Sequence, residues 1–511
     1  MDKRVEDRIR YKDYMHRVIS AEKASAYIQD SMTVGLSGFT RAGEAKAVPL
    51  ACIERARKEP FKINVYTGAS LGSRIDELMA EVGMVEKRIP FQADRTMRQK
   101  INEGEMFFLD EHLSHMAEKI RNGILAPIDV AVIEAVAITE EGHIIPTTSV
   151  GNSALFAKYA KHVIIELNIE QPLALEGLHD IYDIKDYGER EPIPIMKAND
   201  RIGTTAIPVD PDKVAGIVIT HQSDSFSTIT EPDEETEQIA SHLIQFLQRE
   251  KDLGRIGEEF PPLQSGIGSV ANAVMYGILE TDWENIDVYS EVLQDAVFDL
   301  LDAGKVRFAS GCSMTLSERK MDDVMSRLED LKEQLVLRPQ EISNHPEVIR
   351  RLGLISINTA LEFDIYGNVN STHVGGTHMM NGIGGSGDFA RNARYAIFVT
   401  KSTAKDGLIS SIVPFVSHVD HTEHDVDVVI TEQGYADIRG LSPRERAEAI
   451  IENCMHPSYR PQMRNYYKQA VASGGQTPHV LAEAFSWHAR LKETGSMYEN
   501  VTKFHSNEAI E

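Results

Sequence analysis

Asn285-Ile286-Asp287-Val288-Tyr289-Ser290-Glu291 alternates apolar and polar side chains and stops on an acid. Period-two alternation over a short β-branched run is the pattern of a strand, so Glu291 is expected at a strand tip. An earlier stretch, Asn64-Val65-Tyr66-Thr67-Gly68, has the same shape. Thr139-Glu140-Glu141-Gly142-His143-Ile144 likewise parallels Asp364-Ile365-Tyr366-Gly367-Asn368-Val369, each a turn between extended runs. Val163-Ile164-Ile165-Glu166-Leu167 parallels Tyr395-Ala396-Ile397-Phe398-Val399. Further strand-like runs lie at 32–36, before the turn Ser37-Gly38-Phe39-Thr40, at 62–70 and at 128–134, with a helical stretch near 22–29 and helix-length segments between several of them. This alternation implies an α/β fold, and the replay implies two similar open α/β domains in tandem with mostly parallel sheets.

The join is expected between 226 and 237, giving domains 1–228 and 229–511. Residues 221–230 are mostly polar, and Glu231-Pro232-Asp233-Glu234-Glu235 is a charge run suited to opening a helix. Later, Ser442-Pro443-Arg444-Glu445 has the form of a capping box with Pro at the first helical position. Segments after Pro461 and Pro478 also read as helices, with Tyr466, Tyr467, Phe485 and Trp487 on packing faces. This helical C-terminal tail is expected to clamp the second domain or a partner subunit.

The 511 residues exceed one ordinary core, and 42% hydrophobic with 26% charged residues is a globular balance. Fifty-three basic against 78 acidic residues leave a net charge of -25. Nucleic acid and anionic lipid surfaces would be repelled by it. No run approaches the roughly 18 apolar residues of a membrane helix, and Met1-Asp2-Lys3-Arg4-Val5-Glu6 is not the start of a secretory signal. Cys52, Cys312 and Cys454 are sparse and lack CxxC spacing, which suits reduced thiols in a cytoplasm.

Several motifs carry chemistry. Asn381-Gly382-Ile383-Gly384-Gly385-Ser386-Gly387-Asp388-Phe389 places four glycines in six positions between apolar and aromatic neighbours, a density that suits close approach of backbone to a ligand. Gln264-Ser265-Gly266-Ile267-Gly268-Ser269-Val270-Ala271 opens an apolar helical pattern, so its N–H groups form an anion cradle. The same spacing fits a dinucleotide fingerprint, with Glu291 placed as a ribose-binding acid, which keeps an NAD-dependent oxidoreductase open as an alternative. That alternative needs a buried strand directly before Gly266, where two prolines stand in Glu258-Glu259-Phe260-Pro261-Pro262-Leu263, and no strand is expected there. His418, His421 and His424 recur at spacings of three beside Asp420 and Glu423; without a nearby cysteine they read as a solvated turn rather than a metal site. Glu432, before Gln433-Gly434, is a second strand-end acid and a candidate to line the site.

Tyr289-Ser290-Glu291, the 264–268 loop, Ser343-Asn344-His345-Pro346 and the 382–389 loop together resemble the acetyl-CoA hydrolase/transferase family, within it the class I CoA-transferases that act on succinyl-CoA and acetate. The likeness runs from about Ser31 to Trp487. It implies an active site between the two domains, usually in a homodimer, and a glutamyl-CoA thioester on Glu291. It implies catalytic hydrogen bonds from Asn344 and Gly385. Coenzyme A contacts are implied for Gly266, Ile267, Gly268, Ser269, Val270, Leu361, Asn381, Gly385 and Lys405. Coenzyme A would be substrate and carrier, with no tightly bound cofactor and no metal, and the other partners would be acyl-CoA and short-chain carboxylates. The expected activity is CoA transfer between short-chain acids, with acyl-CoA hydrolysis as the alternative inside the family.

Overall fold

The computed structural model describes residues 3–228 and 232–499. The first sheet holds β1 (Thr33–Leu36), β2 (Ile63–Tyr66), β3 (Val85–Ile89), β4 (Phe107–Phe108), β5 (Val130–Ala135), β6 (His162–Asn168) and β7 (Val214–Thr220). They lie side by side as β4-β3-β2-β1-β5-β6-β7, parallel throughout. The second sheet holds β8 (Leu263–Ser265), β9 (Ile286–Tyr289), β10 (Val306–Gly311), β11 (Leu335–Leu337), β12 (Ile355–Thr359), β13 (Tyr395–Val399), β14 (Val428–Thr431) and β15 (Gly434–Asp437). Its order is β11-β10-β9-β8-β12-β13-β14-β15, parallel except for the antiparallel edge strand β15. Apart from that edge strand the two orders are the same. The replay in the sequence is therefore a replay of topology: β2 answers β9, and β6 answers β13.

The central strands are buried along most of their length, with the end residues Ser265 and Thr359 excepted. All six positions of β5 are buried, as expected where helices cover both faces of a parallel sheet. The helices used below are α1 (Ala47–Lys58), α2 (Glu234–Asp252), α3 (Ser269–Leu279), α4 (Gln340–Ser343), α5 (Ser386–Ala390), α6 (Pro443–Asn453), α7 (Arg460–Ala472) and α8 (Ser486–Thr494). The expected charge run does open α2: Asp233 caps it in a reciprocal box with Thr236, and Glu234, Glu235 and Glu237 sit at the positive end of the helix dipole. The boundary read at 228/229 abuts residues 229–231, which lie outside the described residues. The early helix is shorter than expected, Ala21–Ser25.

One continuous core runs through both domains, from Ile133 and Ile165 in the first to Val288, Ile355 and Ile397 in the second. A second core joins Tyr466, Tyr467 and Trp487 of the tail to Phe363, Phe398 and Val429, so the tail clamps the second domain. Ser442 and Glu445 form the predicted capping box of α6. Phe485 departs from expectation: it precedes α8 with 48% of its surface exposed, so it is not a packing residue of the core.

Candidate active site

Glu291 follows β9, and its backbone is fixed from three sides. The Ser290 N–H donates to the Ser310 carbonyl (2.9 Å) and the Ser290 hydroxyl to the Ser265 carbonyl (3.1 Å). The Glu291 carbonyl accepts from the N–H groups of Cys312 (2.7 Å) and Ser313 (3.1 Å). The buried Tyr289 hydroxyl donates to the Ile342 carbonyl at 2.8 Å, which ties β9 to α4. Asn344, at the end of α4, is thereby set beside the carboxylate, and its Nδ2 donates to Glu291 Oε1 at 3.0 Å. The Gly385 N–H supplies a second donor.

Burial pushes the Glu291 carboxyl up to about 7, and the Asn344 and Gly385 donors hold it from rising further. A Cβ on residue 385 would stand 2.2 Å from both Glu291 Oε1 and Asn344 Nδ2, so only glycine brings its N–H this close. No ion pair is made by Glu291 among the described residues; its donors are neutral.

The glycine loop is held largely from the other domain. Asp110 accepts the Ile383 N–H through both oxygens (2.9 and 3.0 Å), and burial pushes this carboxyl up to about 7. Ser114 donates its N–H (3.0 Å) and hydroxyl (2.5 Å) to Asp388. The His112 ring lies under Gly387, where a Cβ would fall 2.3 Å from it, and Phe91 packs against Gly382 and Gly384. From its own domain, Ser386 Oγ meets His421 Nε2 at 3.1 Å. Asp110, His112, Ser114 and Phe91 were not found by reading the sequence. They sit more than 250 positions from the loop, and no local pattern marks them.

A cavity of about 320 Å³ opens over Glu291. Phe39, Phe91 and Leu113 wall it from the first domain, and Ile267, Leu361 and Ile383 from the second. A neighbouring chamber of about 350 Å³ shares Thr40, Phe91, Ala93, Ile267 and Val292 with it. Of the residues singled out in the sequence, Gly266, Ile267, Leu361, Asn381 and Gly385 line the cavity. Gly268 and Ser269 line the neighbouring chamber at the start of α3. Val270 packs against the main core instead, and Lys405 is exposed on the turn between the short strands 403–404 and 409–410.

Three sequence expectations are corrected here. The strand thought absent before Gly266 exists: Leu263–Ser265 is central in its sheet, paired in parallel with both β9 and β12. Three residues behind two prolines are too few to show a period. The histidines do not form one solvated turn. His421 is buried beneath the glycine loop, His418 stacks on His373 with centroids 3.8 Å apart, and His424 is exposed. Glu432 is no cavity acid: its carboxylate takes the Ser402 N–H (2.7 Å), the Ser402 hydroxyl and the Gln433 amide (3.0 Å). Among the described residues no three His, Cys, Asp or Glu side chains converge to hold a metal, and no helix is long and apolar enough to cross a membrane.

Solved structures share this architecture. RipA from Yersinia pestis superposes with a TM-score of 0.70 at 21% identity, covering 89% of this chain and 98% of that one. A 4-hydroxybutyrate CoA-transferase from Porphyromonas gingivalis gives 0.63 at 21% identity, over 90% and 99%. What is shared at these identities is the fold, an α/β architecture of mostly parallel sheets. Residues 1–219 match the acetyl-CoA hydrolase/transferase N-terminal domain and residues 320–467 the C-terminal domain. The chain belongs to the acetyl-CoA hydrolase/transferase family. It is 51% identical to a succinyl-CoA:acetate CoA-transferase from Clostridium kluyveri, over 96% of this chain and 92% of that protein. It is 44% identical to a propanoyl-CoA:succinate CoA transferase from Escherichia coli, over 94% and 98%, and 42% identical to an acetyl-CoA hydrolase from Schizosaccharomyces pombe, over 96% and 98%.

Proposed function

We propose that this chain moves coenzyme A between short-chain carboxylic acids, succinyl-CoA with acetate giving acetyl-CoA with succinate, through covalent intermediates on Glu291. The observation that carries this reading is a carboxylate gripped by two neutral N–H donors at the wall of a largely apolar cavity. A carboxylate is the same kind of group as the acid substrates, so its thioester lies close in free energy to theirs and the sequence runs in either direction.

One Glu291 oxygen attacks the acyl-CoA carbonyl, the carbon–sulfur bond breaks, and CoA leaves as thiolate from a mixed anhydride. The thiolate then attacks the glutamyl carbon, the first acid departs as carboxylate, and the enzyme carries a glutamyl-CoA thioester. The second acid repeats these steps in reverse order. When the glutamyl carbon is attacked, its remaining oxygen becomes the oxyanion, and Asn344 Nδ2 and the Gly385 N–H already point at a carboxylate oxygen. Donors fixed in advance need no reorganisation as charge develops. In this reading Gly266, Ile267, Gly268, Ser269 and Val270 follow the CoA arm, Leu361 and Asn381 close the reacting end, and Lys405 takes a phosphate. Binding of that long arm contributes to positioning and water exclusion.

The hydrolase reading stands beside it because relatives of about 40% identity bear that name. Incubation with acetyl-CoA and succinate separates the two: exchange far faster than thioester loss supports transfer, while hydrolysis indifferent to the added acid supports the hydrolase. The division at 228/229, a homodimer and a cytoplasmic setting belong to the same proposal. The three cysteines are free and buried, as suits reduced thiols, and light scattering tests the dimer.

A further inference from the structure

The turn Phe39-Thr40-Arg41-Ala42 borders both chambers. Phe39 and Ala42 exchange N–H···O bonds of 3.0 and 3.2 Å, and both central residues have positive φ, 48° for Thr40 and 69° for Arg41. That is the arrangement of a two-residue hairpin turn, where Asn and Gly are strongly preferred. A β-branched Thr followed by an Arg is strained there. The backbone of the turn is held by the Thr315 hydroxyl on the Thr40 carbonyl (2.7 Å) and by the Arg41 N–H on the Ser70 carbonyl (3.2 Å), whereas the Arg41 side chain is exposed and forms no ion pair among the described residues. What the turn achieves is placement. Thr40 lines both chambers, and Arg41 is the only cationic side chain on the walls of either one among the described residues.

The cavity over Glu291 therefore suits an acyl group without charge, since no Lys, Arg or His lines it. A dicarboxylic acyl group brings a second carboxylate, and burying that charge unpaired is costly. In a chain of net charge -25 a local cation is needed to receive it. On the CoA-transferase reading above, we propose that Arg41 is a specificity-determining residue, which receives the distal carboxylate of a dicarboxylic substrate while monocarboxylic acids do without it. The walls place Arg41 in the chamber that adjoins the cavity over Glu291. Val292, adjacent to Glu291, and Thr40, adjacent to Arg41, are shared by both chambers. Gly268 and Ser269, on the CoA route in that reading, line the same chamber, so a CoA phosphate is the rival ligand of Arg41 and the test separates the two.

The test is Arg41→Gly, a substitution that suits the positive φ and relieves the turn, so folding is not at risk. With acetyl-CoA as common donor, kcat/KM is measured for succinate and for propionate as acceptors. Expected is a fall in the succinate-to-propionate ratio of roughly 10- to 100-fold, the weight of a charged hydrogen bond, with partial recovery in Arg41→Lys. A ratio unchanged within about twofold overturns the proposal. So does a parallel fall for both acids, which would assign Arg41 to a CoA phosphate. If the parent enzyme hydrolyses without exchange, the transferase reading fails by itself. Arg41 is then read from hydrolysis of succinyl-CoA against acetyl-CoA, with the same fall in ratio expected.

Discussion

The two halves have one strand order and use their carboxylates in opposite ways. In the first, the turn after β2 is Thr67-Gly68, with no acid, and the acids lie deeper. Lys46 Nζ, fully buried, bonds Glu134 Oε1 at 2.7 Å and Asp224 Oδ1 at 3.0 Å. Thr147 and Asn168 satisfy the rest of Glu134 (2.5 and 2.8 Å), and Glu166 accepts the first N–H groups of α1. Those charges are paired and closed to solvent. In the second, the turn after β9 ends on Glu291, which meets only neutral donors and faces a cavity. A paired carboxylate closed off from solvent is spent on structure; one without an ionic partner at a cavity wall is available to react. The strand order occurs twice, and the proposed chemistry falls in the half where a carboxylate is left without an ionic partner.

That contrast can be broken from either side. Glu291→Ala should show the largest effect, a loss of CoA transfer of at least about 10³-fold in steady-state assays, with the fold retained by circular dichroism. Lys46→Met strands Glu134 and Asp224 in the core, and chemical denaturation should report a loss of about 3–5 kcal/mol, while kcat of the folded fraction stays close to the parent. If Lys46→Met instead abolishes turnover in fully folded protein, the division of labour between the halves is wrong. Gly385→Ala drives a methyl into the space between Glu291 and Asn344 and removes one donor, about 10²–10³-fold in kcat. Asn344→Ala should cost about 10²-fold and also move the pH profile. Glu291 reacts when ionised and its carboxyl stands at about 7, so activity rises with pH through that value. Asn344 lowers that pKa, so its removal shifts the acid limb to higher pH; a limb that stays put would detach Asn344 from the nucleophile.

Much of this was legible in the chain. The β2 and β9 runs alternate, β13 is all apolar and β6 has an apolar middle at Val163, Ile164 and Ile165, and their matching order gave the twin domains. Glu291 and the 381–389 loop were visible because an acid after a strand and a cluster of glycines are both local signals. What escaped was non-local or short. Leu263–Ser265 is a central strand of three residues, too brief to alternate. The hold of Asp110, His112 and Ser114 on the glycine loop is a contact between domains: Asp110 lies in a loop, and His112 and Ser114 at the start of the helix Leu113–Arg121, where nothing local marks them. Phe485 was misassigned because aromatic character alone does not say which way a residue before a helix start points.

The most direct measurement is peptide mass mapping after incubation with acyl-CoA and no acceptor acid, with borohydride trapping as a second readout. The account predicts a CoA thioester on the peptide carrying Glu291, and conversion of that side chain to the alcohol on reduction. An adduct on any other residue, or turnover with no adduct and Glu291 unmodified under trapping, would contradict it.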